Sequence, residues 1–258
     1  MRILIFCIFT LFSLAPSSGA QEAALPPSHQ EAFIDRFEGP ALHPRWAVSD
    51  GWHSGEWFSA EWRASQLRHV DDGIAFVMEP APHGREKPYI SAELRTHERY
   101  LYGYFEARLR MPRGPGLVAA FFTFTRPGGR ETQNEIDMEL LGRDPLIIEL
   151  TYHVGSTATR EIEVTGFDAS SDFHTYAFEW RPDEIRWYLD NRLVHISREE
   201  QVRGLVHPQN IEFSLWNSER MPRWLGRIDP AQAPWVMTVA CVAYAPRYEG
   251  HSLCAESP

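Results

Sequence analysis

The sequence predicts an all-β domain of two packed layers, a sandwich, jelly roll or barrel, and three observations point there. Most patterned segments alternate with a period of two, few keep the i, i+3, i+4 apolar spacing of a helix, and Gly and Pro fall mainly between the segments. The chain has 258 residues, 43% apolar and 13% aromatic, which suffices for a substantial core in one domain of this class.

The elements follow in order. Met1-Arg2, an apolar run from Ile3 to Leu14 and the small-residue stretch Ala15 to Ala20 have the three regions of a secretory signal. Residues 1–20 are therefore expected to be a leader, and 21–258 a single domain with a short C-terminal tail. The apolar run is too short for a bilayer, so no membrane partner and a secreted or periplasmic product are expected. Strands are expected at 74–79, 104–111, 117–125, 135–141, 146–152, 174–180, 184–190, 192–196, 211–216 and 235–244. In 104–111, Phe105, Ala107, Leu109 and Met111 alternate with Tyr104, Glu106, Arg108 and Arg110, the pattern of a strand with one wet face. Arg181-Pro-Asp183 and Asp190-Asn191 are the turns of consecutive hairpins. One short helix is expected at 197–202.

The formal net charge is −10, and one unit more negative without Arg2, which argues against binding a phosphate backbone. No nucleic acid partner is expected, and the chain should act as a monomer. Without Cys7 the exported chain keeps Cys241 and Cys254, in a compartment where disulfides persist. They either pair or stay as two free thiols, since spacing alone does not supply the geometry.

The most informative stretch is Asn134-Glu-Ile-Asp-Met-Glu-Leu-Leu-Gly142. On a strand Ile136, Met138 and Leu140 share one face, and Glu135, Asp137 and Glu139 share the other. At ~3.3 Å per residue the outer two Cα atoms are roughly 13 Å apart, and each glutamate can lean inward. Their carboxyl groups could then approach the ~5–5.5 Å of a retaining glycosidase, closer than the ~6.5–9.5 Å of an inverting one. Like charges in a row raise one another's proton affinity, so one glutamate can serve as acid while the other serves as nucleophile. A solvated strand face or an oxygen-rich cation site is the competing reading. Calcium ligands, however, usually come from loops with backbone carbonyls, not from alternate positions of an apolar-backed strand.

Glu135-Ile-Asp-Met-Glu139 resembles the E-I-D-x-E signature of glycoside hydrolase family 16 in its bacterial lichenase form. The likeness continues through Phe121 to Thr125, Leu141 to Asp144, Gly166 to Ala169, Phe173 to Trp180, Ile185 to Asp190, Leu215 to Asn217 and Trp224 to Gly226, and covers about 33–244. The resemblance implies a β-jelly-roll sandwich of two antiparallel sheets with a concave glycan-binding cleft. It implies Glu135 as nucleophile, Glu139 as general acid/base and Asp137 as the assisting carboxylate. Glu93 and Arg95 match a pair bordering the cleft, unless they form an ordinary surface ion pair. Phe122, Phe124, Tyr152 and Trp216 match cleft or near-cleft aromatics, though an aromatic in a sandwich is as readily core. Thr151 and Asn217 are candidate contacts to sugar hydroxyls, and His153 and His174 are more in keeping with structural roles.

The chain also departs from lichenases. Gln133 replaces a Trp, Thr151 and Ser214 replace cleft Asn residues, and His153 replaces a Tyr; with the positions above, these are the expected substrate-binding set. Ala60 and Ser91 stand where the family often has a cysteine pair, and Ala240 where it has a calcium-ligating Asp. Neither a metal nor a cofactor is expected. The expected activity is a secreted retaining endo-β-glucanase acting on mixed-linkage β-1,3-1,4-glucan or a similar polysaccharide. The altered sugar-contacting positions leave room for a succinoglycan-like exopolysaccharide depolymerase or a transglycosylase, and a non-catalytic lectin-like sandwich is the rival outside enzymes.

Overall fold

The computed structural model describes residues 30–125 and 132–255, so the expected leader lies outside the described residues. In chain order the strands are β1 (Phe33–Asp35), β2 (Trp46–Val48), β3 (Ala60–Trp62), β4 (Leu67–Val70), β5 (Gly73–Pro80), β6 (Tyr89–Ser91), β7 (Glu93–Thr96), β8 (Gly103–Arg110) and β9 (Leu117–Phe124). They continue as β10 (Asn134–Leu141), β11 (Ile147–Val154), β12 (Thr157–Val164), β13 (His174–Trp180), β14 (Ile185–Leu189), β15 (Arg192–Ser197), β16 (Asn210–Asn217) and β17 (Trp235–Ala245). All ten expected strands are present with ends within two residues.

Two sheets form the layers. One runs β12-β11-β10-β9-β16-β7-β2; the other runs β15-β14-β13-β8-β17-β5-β6-β3, with β1 on β17 and β4 on β5. Neighbours distant in sequence, such as β9 with β16 and β8 with β17, give the jelly-roll wrap. The pairs are antiparallel, as expected, apart from the three-residue pairing of β3 with β6, which is parallel. On those two strands Ala60 and Ser91 carry no cross-link, and Ser91 Oγ instead donates to the carbonyl of Leu215 at 2.5 Å.

The core is the space between the sheets. Phe121 of β9 stacks on Phe213 of β16, with centroids 5.1 Å apart, and meets Phe178 of β13 across the layers at 5.7 Å. Such contacts bury large flat surfaces and fix the spacing of the sheets. In β17 a bulge between Val239 and Cys241 inserts Ala240. It changes the parity: Met237 and Val239 face the core before it, Val242 and Tyr244 after it, and Cys241 turns outward to bond Cys254. The Cys241–Cys254 disulfide closes the alternative that the sequence left open.

Two expectations need correction. Tyr104 and Glu106 of β8 are buried, because the C-terminal tail crosses that outer face. Both Glu106 oxygens are used there. One accepts from Ser252 Oγ and, at 3.0 Å, Cys254 N; the other accepts from Tyr104 Oη at 2.8 Å and Leu253 N at 2.9 Å. The helix expected at 197–202 is absent: Ser197 ends β15, and a 3-10 turn covers Glu200–Gly204. Arg198 Nε donates to Glu184 at 2.7 Å, which ties the chain to the hairpin at the point where a helix would have begun. The one α-helical turn among the described residues is α1 (Pro222–Leu225), with Pro at its first position.

Candidate active site

The acid row lies on β10, next to the middle strand of its sheet, with Ile136, Met138 and Leu140 buried in the core behind it. Residues directly opposed in an antiparallel pair share a face, so the register assembles the site in three strips. Glu149, Glu139, Ala120, Ser214 and Glu93 lie in line across β11, β10, β9, β16 and β7. Beside them run Arg160, Thr151, Asp137, Phe122, Glu212 and Arg95, and then His153, Glu135, Phe124 and Asn210. The small side chains of Ala120 and Ser214 leave a hollow next to Glu139.

That hollow is a cavity of about 420 Å³, within the size range of small-molecule sites. Glu135, Asp137 and Glu139 line it together with Glu93, Phe122, Phe124, Gln133, Ser214 and Trp216. Trp52, Ser54, Phe58, Trp62, Ala120 and Glu212 complete the lining. One end is an apolar wall in which Trp216 packs between Phe58, at 5.0 Å, and Trp224, at 5.8 Å. Flat aromatic faces and a few convergent polar groups suit the apolar faces and hydroxyl edges of a sugar ring.

The acids are held by named partners. Gln133 Nε2 donates to Glu135 at 2.9 Å, and His153 Nε2 lies 3.4 Å from Asp137 Oδ2. Glu135 and Asp137 share a hydrogen bond. Burial, followed by the charge of Asp137, pushes Glu135 up to about 8, while His153 and the Gln133 amide pull it down. Burial pushes Glu139 up to about 8 as well, reinforced by Glu149 and then Glu135 and opposed by His153 and Arg160. Asp137 is also raised, by burial and by Glu139. Burial and then a neighbouring carboxylate, Asp137 for Glu135 and Glu149 for Glu139, raise both outer acids alike, so the row tends to hold a proton near neutral pH.

The remaining expected residues sit around this centre. Arg95 shares the cleft face of β7 with Glu93 and lies opposite Glu212, but it is not part of the lining. Glu93 accepts from Ser49 Oγ at 2.6 Å. Thr151 is opposite Asp137, with a buried hydroxyl that has no hydrogen-bond partner. Asn217 falls on the other parity of β16, away from the lining. Tyr152 faces the core, where its hydroxyl donates to Glu199 at 3.0 Å. Glu135, Asp137 and His153 bring ligand atoms within 4.8 Å of one another, the one such group of three among the described residues, and it is part of the acid row itself. Ala240 offers no side-chain oxygen.

Sequence reasoning missed Trp52, Ser54 and Phe58, from the irregular chain before β3, and Trp62, the last residue of that short strand, all of them before the first expected strand. It also missed Glu212 and Glu149, whose signal was available: each lies two positions from a residue already assigned to the cleft face.

A jelly roll bearing a row of acids in an aromatic trough defines a class, the glycan-handling sandwiches of the two-carboxylate type. The chain belongs to the glycosyl hydrolases family 16, which it matches over residues 54–236. It is 33% identical over 227 residues to a beta-glucanase of Acetivibrio thermocellus, a match covering 86% of this chain and 65% of that one, so the chain spans about two thirds of that relative's length. It is 33% identical over 199 residues to the endo-1,3-1,4-beta-glycanase ExoK of Rhizobium meliloti, covering 76% and 72%. Among solved structures it is similar to a prokaryotic β-1,3-1,4-glucanase (lichenase) derived from a mouse hindgut metagenome, with a TM-score of 0.78 and 32% identity over 83% of this chain and 99% of that one.

Proposed function

We propose that the protein is a retaining endo-β-glucanase that cleaves internal β-1,4 bonds in mixed-linkage β-1,3-1,4-glucan or a closely similar polysaccharide. The observation that carries the reading is the one-face row of Glu135, Asp137 and Glu139 at the floor of an aromatic-walled cavity. Relatives called beta-glucanase and lichenase support the substrate class.

In this reading Glu135 attacks the anomeric carbon while Glu139 gives its proton to the departing glycosidic oxygen, which leaves a covalent glycosyl-enzyme. Glu139, now a carboxylate, takes a proton from water; the water oxygen bonds to the anomeric carbon, Glu135 leaves, and the configuration is retained. Asp137, between them, steadies Glu135 through their shared hydrogen bond. Phe122, Phe124, Trp216, Gln133, Ser214 and Glu93 line the sugar path, with Arg95, Thr151, His153 and Asn217 further from it. No cofactor takes part. The leader-like residues 1–20 support export to the periplasm or medium; no helix among the described residues is long and apolar enough to cross a membrane.

The test is a reducing-sugar assay on lichenan and barley β-glucan, with laminarin, xyloglucan and succinoglycan as comparators. Wild type should release reducing ends from the first two, and Glu135→Gln should release none. Glu135→Gln at the wild-type rate would overturn the assignment, and succinoglycan as the preferred polymer would move the substrate. Product chains longer than the starting material would mean transfer to sugar in place of water.

A further inference from the structure

Glu149 is a buried carboxylate that the reaction above does not use. It lies on β11 directly opposite Glu139, on the same face, and is 2% exposed. Two donors clamp it. Arg160 Nη1, from β12, reaches one oxygen at 3.1 Å, and Trp224 Nε1, from α1, reaches the other at 2.9 Å. A buried acid costs stability unless it is paired, so this carboxylate is maintained by an ion pair and an indole supplied by two separate elements. The same Trp224 packs on Trp216 in the cleft wall, which links the clamp to the cavity.

We infer that Glu149 is a positioning residue for Glu139: a carboxylate held by Arg160 and Trp224 behind the acid/base, which keeps the proton on Glu139 until the glycosidic oxygen arrives. This rests on the role proposed for Glu139. The charged groups around Glu139 are Glu135 and Asp137 on its own strand, Glu149 and His153 on β11 and Arg160 on β12. Beyond β9, which adds only Ala120 and Phe122, stand Glu212 on β16 and Glu93 on β7. Of these, Glu149 has the strongest effect on Glu139, and it raises the proton affinity. Arg160 does two things at once: it pairs Glu149, and its own positive charge works against the proton on Glu139. The two partners of one ion pair therefore pull the acid/base in opposite directions, which makes the sign of each effect testable.

The experiment is the pH profile of kcat/KM on soluble β-glucan for wild type, Glu149→Gln, Glu149→Asp and Arg160→Gln, with Glu139→Gln as reference. Removing the negative charge should move the alkaline limb of Glu149→Gln to lower pH by about 1–3 units, the effect of one close charge. Glu149→Asp keeps the charge and should keep the limb near its wild-type position. Arg160 is half exposed, so Arg160→Gln should fold normally, and its alkaline limb should move to higher pH. If Glu139→Gln is inactive while the limbs of Glu149→Gln and Arg160→Gln coincide with wild type, the inference fails and the catalytic assignment stands. If Glu149→Gln does not fold, an Arg160→Gln limb that stays put or moves to lower pH overturns it. An active Glu139→Gln overturns the assignment beneath it.

Discussion

Glu139 keeps its proton to about pH 8, whereas an unfolded glutamate releases its own near 4.5. Between those values the folded chain binds more protons than the unfolded one, so stability falls as the pH rises and levels off beyond about 8. This is opposite to the behaviour of a salt-bridged surface acid. Glu139→Gln removes the ionisation and should melt above wild type at pH 8, by about 2–4 °C for each kcal/mol regained, with the gap closing near pH 5. Differential scanning calorimetry at the two pH values checks it; an equal gap at both would show that Glu139 does not strain the fold. The identities of the acids and their shared face were legible in five residues, because strand alternation is a local rule. Their partners were less so: Glu149 shares its face with Thr151 two positions on, but its place opposite Glu139, like that of Arg160 beyond, is set only by the pairing of β10, β11 and β12.

At the scale of elements, long alternating strands were the readable part, and short or wet ones were not. The missed strands β1, β2, β3, β4, β6 and β7 have only three or four residues, too few to display a period. β12 has eight, but it is an edge strand whose side chains are mostly exposed, so it has no apolar face to reveal it. The strand β8 was read correctly as alternating, yet its wet face was misjudged. Glu106 is buried there because a tail more than a hundred residues later covers it with two backbone N–H groups and a serine hydroxyl, while Tyr104 on the same strand adds a fourth donor. Glu106→Gln offers one acceptor oxygen and turns its own N–H groups toward donors. Each donor left unpaired should cost about 1–3 kcal/mol. Hydrogen exchange should quicken at Leu253 and Cys254, while hydrolysis of β-glucan is unchanged. Slow exchange at both amides would mean that the tail is held by something other than this carboxylate.

Across the whole molecule the two sheets divide the labour. One carries the acid row on its outer face, and the other carries the tail on the opposite side of the sandwich, fastened by Glu106, by the Cys241–Cys254 bond and by Tyr248 against Tyr104 and Tyr188 at 4.9 and 4.7 Å. The bond closes a chain separation of 13 residues, so by loop entropy it should contribute about 3 kcal/mol. Reduction, or Cys254→Ser, should lower the melting temperature and leave kcat/KM on β-glucan at its wild-type value. A fall in kcat/KM at temperatures where the protein remains folded would show that the two faces are coupled. The two-layer all-β class was legible from turn spacing and alternation and the jelly roll from the family resemblance, whereas the parity change at Ala240, which lets Cys241 reach the tail, depends on a bulge that no local pattern announces.

The fastening of the tail has a practical reading. A polymer substrate arrives on one side of the slab and the tail segment 248–254 is anchored on the other, so a bead or surface gripping that segment would hold the molecule by its back. The working side would then face the liquid, open to long glucan strands drifting past.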